Sequence, residues 1–185
     1  MFTSVLALGA AALAVALLVG WLGRGRNETV DGVLVAVSDA ALWIAALVAG
    51  IAMAGSLYFS EVADFIPCRL CWFQRIAMYP LAVILLVAAI RRDRSVQWYA
   101  VPIAVAGACV SIYHYLIEWQ PDLEVGDACS ATGVSCSAFW FREFGFVTLA
   151  FMALCGFIAV IVLTVVGARV ASERELNATT ERLEA

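Results

Sequence analysis

The sequence predicts an all-α integral membrane protein, a four-helix transmembrane bundle with one extra N-terminal transmembrane helix. Of its 185 residues, 64 % are hydrophobic and 14 % are charged, whereas soluble domains have roughly 45–50 % and about 25 %. The chain contains five charge-free runs, at 1–23, 40–60, 76–90, 95–113 and 144–168. A bilayer core needs roughly 20 apolar residues in a helix and tolerates about 17, so four runs span a membrane as they stand. The run 76–90 reaches that length if Cys71 to Arg75 continue its helix.

The arginines set the orientation of these helices. All eleven positive charges are Arg, and eight of them follow the first, third and fifth runs: Arg24, Arg26, Arg91, Arg92, Arg94, Arg169, Arg174 and Arg182. The positive-inside rule places those connections in the cytoplasm. The other connections are acidic and are expected outside, so the N-terminus is predicted outside the cell and the C-terminus inside.

The predicted topology divides the chain into three parts. Residues 1–32 form an N-terminal transmembrane anchor and a cytoplasmic loop, residues 33–168 form the four-helix core, and residues 169–185 form a cytoplasmic tail, expected as a frayed helical extension. The core helices are expected at 40–60, 72–90, 95–117 and 145–168. A cleaved signal peptide is the alternative for the first run, but its arginines follow the apolar segment instead of preceding it.

The charge balance excludes nucleic acid as a partner. The net charge is −4 and the chain has no Lys, whereas phosphate binding needs clusters of basic residues. The lipid bilayer is the predicted environment.

Six cysteines carry the candidate chemistry: Cys68, Cys71, Cys109, Cys129, Cys136 and Cys155. In the predicted topology Cys68 and Cys71 lie at the outer mouth of the third helix, and Cys129 and Cys136 lie in the long outer loop 118–143. Both pairs therefore face the oxidising compartment, where disulfides persist. The remaining two cysteines lie inside helices and are expected to be small apolar fillers.

Residues 68–71 form a Cys-x-x-Cys motif that follows Pro67. Proline is favoured at the first position of a helix, so the motif is expected to open one. Residues three apart share a helical face, and the positive end of the helix dipole favours the reactive thiolate. The pattern therefore favours a redox dithiol without a bound metal. A c-type haem is excluded because Trp72 stands where a His is required; a zinc site of four cysteines and an inert disulfide are the weaker alternatives.

The second pair, Cys129 and Cys136, closes a ring of eight residues. In the chain-entropy model so small a ring stabilises the protein by only about 2.5 kcal/mol, which a five-helix bundle hardly needs. An exposed loop disulfide is better suited to exchange with a thiol of another protein, because exchange depends on access. A simple loop staple is the alternative.

An ionisable group near the Cys-x-x-Cys motif predicts a ligand site. Arg75 lies four residues after Cys71 on the same helical face and about 6 Å deeper. His114 lies at a similar depth, four residues before Glu118. Ionisable residues within a span are functional-site candidates, and these two suit a ligand with polar carbonyls and an apolar tail. The alternatives are a snorkelling Arg and an interfacial His. Further expected wall residues are Gln74, Met78 and Tyr79.

The segment from Pro67 to Pro80, PCRLCWFQRIAMYP, closely resembles the signature of the DsbB family of disulfide bond formation proteins. Tyr113-His114-Tyr115 and the later loop pair strengthen the resemblance, which covers about residues 40–168. The short spacing of the loop pair is similar to that of Gram-positive members. The first helix is additional to the family's four-helix core.

The resemblance implies a bacterial cell-membrane enzyme, a protein-dithiol:quinone oxidoreductase. It would reoxidise an extracytoplasmic, DsbA-like thiol oxidase of thioredoxin fold and pass the electrons to membrane quinone, either menaquinone or ubiquinone. By the family motif, Cys71 would contact the quinone with Arg75 as the nearby charge. Partner thiols would attack Cys129, and Cys136 would then exchange with Cys68. The quinone supplies the hard redox chemistry.

Two other classes of protein are alternatives to this one. Vitamin K epoxide reductase-like enzymes are also quinone-linked membrane enzymes, but their loop cysteines precede the Cys-x-x-Cys motif, whereas here they follow it. A small transporter or metal-handling protein is the other alternative. Transporters usually carry polar or broken helices near the midplane, and here the polar groups cluster at one surface.

Overall fold

The described residues contain five long α-helices. The computed structural model describes residues 1–25, 27–124, 135–138 and 140–184. The helices are α1 (Phe2–Leu22), α2 (Glu28–Glu61), α3 (Arg69–Arg91), α4 (Gln97–Trp119) and α5 (Leu149–Glu184). All five have the length and hydropathy needed to cross a bilayer. The prediction of an all-α membrane bundle is confirmed.

Four of the helices form a ring, and the fifth lies outside it. Around the ring, α2 packs against α3, α3 against α4, α4 against α5, and α5 against α2. Helix α1 packs on the outer side of this ring, mainly against α5 and less against α2. The arrangement matches the expected four-helix core with one extra helix.

Two helices extend well beyond their apolar runs at the end where the arginines cluster. Helix α2 starts at Glu28, where the Asn27 side chain accepts a hydrogen bond of 2.9 Å from the Thr29 amide. Helix α5 continues to Glu184 with its last turns exposed. Asp39 on α2 accepts hydrogen bonds from Arg174 at 3.1 and 3.2 Å. Charged side chains thus continue both helices into the surrounding water.

Glycines let α5 approach its neighbours closely. A Cβ atom added at Gly107 of α4 would lie 2.3 Å from the Phe157 ring of α5. One added at Gly167 of α5 would lie 2.6 Å from the Cβ of Ala41 in α2. Small residues of this kind allow helix backbones to pack tightly in membranes, where the hydrophobic effect supplies little attraction.

Candidate active site

The Cys-x-x-Cys motif lies at the start of α3, as predicted, although Pro67 precedes the N-cap residue instead of occupying the first position of the helix. Cys68 is the N-cap residue, and its sulfur accepts a hydrogen bond of 3.3 Å from the Cys71 amide. The Sγ atom of Cys68 in turn donates to the Sγ atom of Cys71 over 3.0 Å. The two sulfurs therefore meet across the first helical turn.

Cys68 faces the side of α3 that packs on α4. It lies in a buried apolar cluster with Leu70, Ile117 and the loop residue Cys136, whose side chain is fully buried. The hydrogen bond to Cys71 and burial raise the pKa of the Cys68 thiol to about 12. Cys68 therefore needs a base before it can act as a thiolate.

His114 of α4 is placed to be that base. Its Nε2 atom lies 3.6 Å from the Cys68 sulfur, and only 3 % of the residue is exposed. Its Nδ1 atom is buried and has no hydrogen-bond partner within the part of the chain that the structure describes. An imidazole nitrogen at this distance can accept the thiol proton and return it.

Glu124 connects two described parts of the outer loop. Its carboxylate accepts a hydrogen bond of 2.9 Å from the Ser135 hydroxyl and a longer one of 3.4 Å from the Cys136 amide. These contacts fix the backbone at the point where the Cys136 side chain enters the cluster. Cys129 lies outside the described residues, so the pairing of the two loop cysteines stays a prediction.

Cys71 packs against the same cluster, but unlike Cys68 it also lines a cavity of about 570 Å³. Most of the walls are apolar side chains of α1, α2, α3 and α5, and the segment before α3 and Trp140 also contribute. Four of the predicted ligand residues line the same cavity: Gln74, Arg75, Met78 and Tyr79. The cavity thus joins a thiol, a few polar groups and a large apolar surface, the combination typical of a ligand pocket.

Arg75 is held by α2, and its hydrogen bonds to described residues leave part of its donor capacity unused. Its Nε and Nη2 atoms each donate over 2.9 Å to Ser56, to the hydroxyl and the backbone carbonyl respectively. The guanidinium also lies over the Trp72 ring, 5.1 Å from the centroid. A guanidinium has five N–H donors, and within the described chain no acidic side chain pairs with this one.

Gln74 is fixed by a chain of hydrogen bonds that leads into α4. Its Nε2 atom donates to the Ser111 hydroxyl over 3.0 Å, and that hydroxyl donates to the Gly107 carbonyl over 2.9 Å. The amide is therefore oriented before any ligand binds, which lowers the entropic cost of binding.

His114, predicted to lie in the same ligand pocket as Arg75, does not line the cavity. It belongs to α4 and contacts Cys68, whereas the cavity lies on the Cys71 side of α3. Its predicted contact with the quinone stays a prediction, and its position favours a role at the Cys68 thiol.

Several site residues give no signal in the sequence. Ser56 and Ser111 are ordinary small hydroxyl residues in apolar helices, and only the fold brings them to Arg75 and Gln74. Glu118, buried on α4, accepts a hydrogen bond of 2.6 Å from the Thr148 hydroxyl. The contribution of α1 to the cavity is also unexpected, because the sequence predicts the first helix only as an anchor.

The thiol pair and the imidazole also form a group able to hold a metal. The ligand atoms of Cys68, Cys71 and His114 all lie within 4.8 Å of one another. Structural zinc sites are closed by four protein ligands, and this group of described residues supplies three. The same three atoms serve equally well as a dithiol with its base.

The fold and site define a class: a helical membrane protein with a dithiol centre at one end of its bundle. Within that class the chain belongs to the DsbB family. The family model described as "Disulfide bond formation protein DsbB" matches residues 38–167. The chain is therefore a membrane protein of disulfide bond formation.

Curated relatives carry the same description. "Disulfide bond formation protein C" of Bacillus subtilis (strain 168) is 48 % identical over 122 residues, which are 66 % of this chain and 86 % of the relative. A "Probable disulfide formation protein" of Oceanobacillus iheyensis is 43 % identical over 123 residues, 66 % of this chain and 82 % of the relative. A "Probable disulfide formation protein" of Coxiella burnetii (strain CbuK_Q154) is 43 % identical over 113 residues, which are 61 % of this chain and 77 % of the relative. No solved structure gives a significant match.

Proposed function

We propose that the protein is a protein-dithiol:quinone oxidoreductase that reoxidises an extracytoplasmic thiol oxidase of thioredoxin fold. One observation carries the proposal: the two sulfurs of one dithiol lie 3.0 Å apart beside the loop residue Cys136, and only the Cys71 side also lines the apolar cavity. Cys68 packs with Cys136 and lies beside the base His114, and Cys71 connects this cluster to the apolar cavity that Arg75 also lines. Such a dithiol connects a protein thiol on one side with a lipid-soluble electron acceptor on the other.

The proposed electron path consists of two disulfide exchanges and one quinone reduction. The partner's dithiol reduces the Cys129–Cys136 disulfide and becomes a disulfide itself. The loop dithiol then reduces the Cys68–Cys71 disulfide through attack of Cys136 on Cys68, which restores the loop disulfide. Finally, two electrons and two protons pass from the Cys68–Cys71 dithiol to the quinone, giving a quinol and a new disulfide.

The described side chains fit a quinone at the Cys71 side. A quinone has two carbonyl acceptors on a flat apolar ring, and the cavity offers the unused guanidinium N–H groups of Arg75 beside apolar walls. Ser56 and Trp72 hold that guanidinium in place. On the other side, His114 accepts the proton of Cys68 when that thiol must become a nucleophile. The quinone itself accepts the two electrons.

For the path to work, the end of the bundle that carries both cysteine pairs must lie outside the cytoplasm. We propose that the N-terminus is outside, the C-terminus is cytoplasmic, and the membrane is the bacterial cell membrane. The arginine distribution supports this orientation. Reporter fusions after Arg94 and Arg169 should therefore be active only as cytoplasmic reporters, and fusions at 120–124 only as external ones. A cytoplasmic signal at 120–124 would place the cysteines in the reducing compartment and contradict the proposal.

A direct assay tests the function. Purified protein is mixed with a reduced thioredoxin-fold oxidase and a quinone, and quinone reduction is followed by absorbance. We expect one quinone reduced per partner disulfide formed, because each dithiol gives two electrons. Omission of the partner or the quinone should stop the reaction. If partner disulfide forms without loss of quinone, the electrons go elsewhere and the proposal is wrong.

The cluster of Cys68, Cys71 and His114 gives one specific reason to test metal handling as a second function. A metal-handling protein should be purified with close to one bound zinc ion per chain and should lose it when His114 is replaced by Gln. A dithiol oxidase should reduce quinone at an unchanged rate after chelator treatment. These two measurements separate the two functions.

A further inference from the structure

Helix α1 packs unevenly along its length. In its C-terminal half, Leu17 lies in the main apolar core together with Leu34 of α2. A Cβ atom added at Gly20 would lie 3.4 Å from Val30 and 3.6 Å from Leu34. At this end α1 and α2 are in direct contact.

The cavity separates the N-terminal half of α1 from the C-terminal half of α2. Leu6, Ala10 and Leu13 of α1 line it at the spacing of one helical face, opposite Leu47 and Ile51 of α2. A Cβ atom added at Gly9, which also lines the cavity, would meet nothing within 4 Å. The cavity, which α3 and α5 also line, therefore includes a cleft between α1 and α2 that their contact closes toward the arginine-rich end.

The cleft is continuous with the proposed acceptor site. The cavity that contains the α1 residues is the one lined by Cys71, Gln74 and Arg75. Most of its polar groups belong to α3 and to Ser56, while the lining residues of α1 are apolar except Thr3. A ligand with a polar ring at Arg75 would thus have an apolar part along α1.

We propose that α1 forms one wall of the acceptor site, and that the apolar tail of the membrane quinone lies in the cleft between α1 and α2. This rests on the proposed function and adds an element that the family match, residues 38–167, does not include. The occupant follows from three properties of the cavity: continuity with Cys71, an apolar lining, and a volume of about 570 Å³, within the range of roughly 300–1,000 Å³ usual for ligand pockets. The role of α1 is positioning, because it touches the tail and not the reacting ring.

Substitutions that fill the cleft test this inference. Ala10→Phe places a ring in the cavity, and Ala12→Phe adds the same ring to an exposed position of α1 that does not line it. Gly9→Leu is a second cleft variant, at a position where an added Cβ atom meets nothing within 4 Å and where Leu has a higher helix propensity than Gly. For each variant, KM is measured with a polyprenyl quinone and with a tail-free quinone of the same ring. The polyprenyl quinone extracted per mole of purified protein is measured as well.

We expect the two cleft variants to raise KM for the polyprenyl quinone about tenfold, since displacing two buried CH₂ groups of about 0.8 kcal/mol each has that effect. KM for the tail-free quinone should stay unchanged, less quinone should be extracted with the protein, and Ala12→Phe should resemble the unmodified protein. The inference is overturned if both quinones are affected equally, if neither is, or if Ala12→Phe has the same effect. If the unmodified protein reduces no quinone at all, the proposed function fails instead. Gly9→Leu decides the question if Ala10→Phe does not fold.

Discussion

Replacing Cys71 with Ser should lower quinone reduction to the uncatalysed background, while Cys109→Ala and Cys155→Ala should leave it nearly unchanged. Cys71 is the thiol that lines the cavity, and its sulfur lies 3.0 Å from that of Cys68. Without it no disulfide can form at the cavity and no electron pair can leave the protein. The measurement is the initial rate of quinone loss with a reduced thioredoxin-fold partner.

The two control cysteines are matched in chemistry but lie away from the site. Cys109 is exposed on α4, and Cys155 is buried in α5. Replacing Cys155 with Ala removes one buried atom, with an expected cost of about 1 kcal/mol in unfolding free energy. Equal inactivity of Cys109→Ala and Cys71→Ser would mean that the assignment of the redox thiols is wrong.

The helices can be predicted because the bilayer constrains them so strongly. Backbone groups in a bilayer must be hydrogen-bonded within the segment, so long charge-free runs become helices. The same constraint does not act where a helix ends in water. The start of α2 at Glu28 and the extension of α5 to Glu184 are therefore less well defined by the sequence than the spans themselves.

Prediction of the candidate site from the sequence is limited in a different way. Spacing along a helix gives depth and face, and these two quantities are enough to predict that Arg75 lies beside Cys71. Depth alone does not give the side of the bundle. His114 has the depth of Arg75, but it belongs to the helix on the other side of the motif and contacts Cys68.

For a related reason, the sequence does not predict contacts between helices that are distant in the chain. Ser56 binds Arg75 only because α2 packs against α3. The apolar face of α1 looks the same in sequence whether it meets lipid, protein or a ligand. Helix packing in membranes depends on shape and small residues more than on hydrophobicity, so composition cannot distinguish these cases.

The order of attack in the loop pair gives a prediction with an all-or-none outcome. Cys136 is fully buried in the cluster with Cys68, so a partner protein should be unable to reach its sulfur. The partner should therefore attack Cys129 and release Cys136, which is already positioned for exchange with Cys68. Access and the identity of the leaving thiol govern such exchanges.

A single-cysteine partner, activated as a mixed disulfide with thionitrobenzoate, makes this order visible. In Cys136→Ser, the Cys129 thiolate should attack the partner's sulfur, release one thionitrobenzoate and leave a covalent complex. No loop thiol remains to resolve that complex, so it should persist in non-reducing electrophoresis. In Cys129→Ser, the buried Cys136 should form no complex and release no colour. A complex through Cys136 would reverse the order.

If neither loop variant slows partner oxidation while Cys68→Ser and Cys71→Ser do, the partner delivers electrons directly to the Cys-x-x-Cys motif, and the loop disulfide is only a staple.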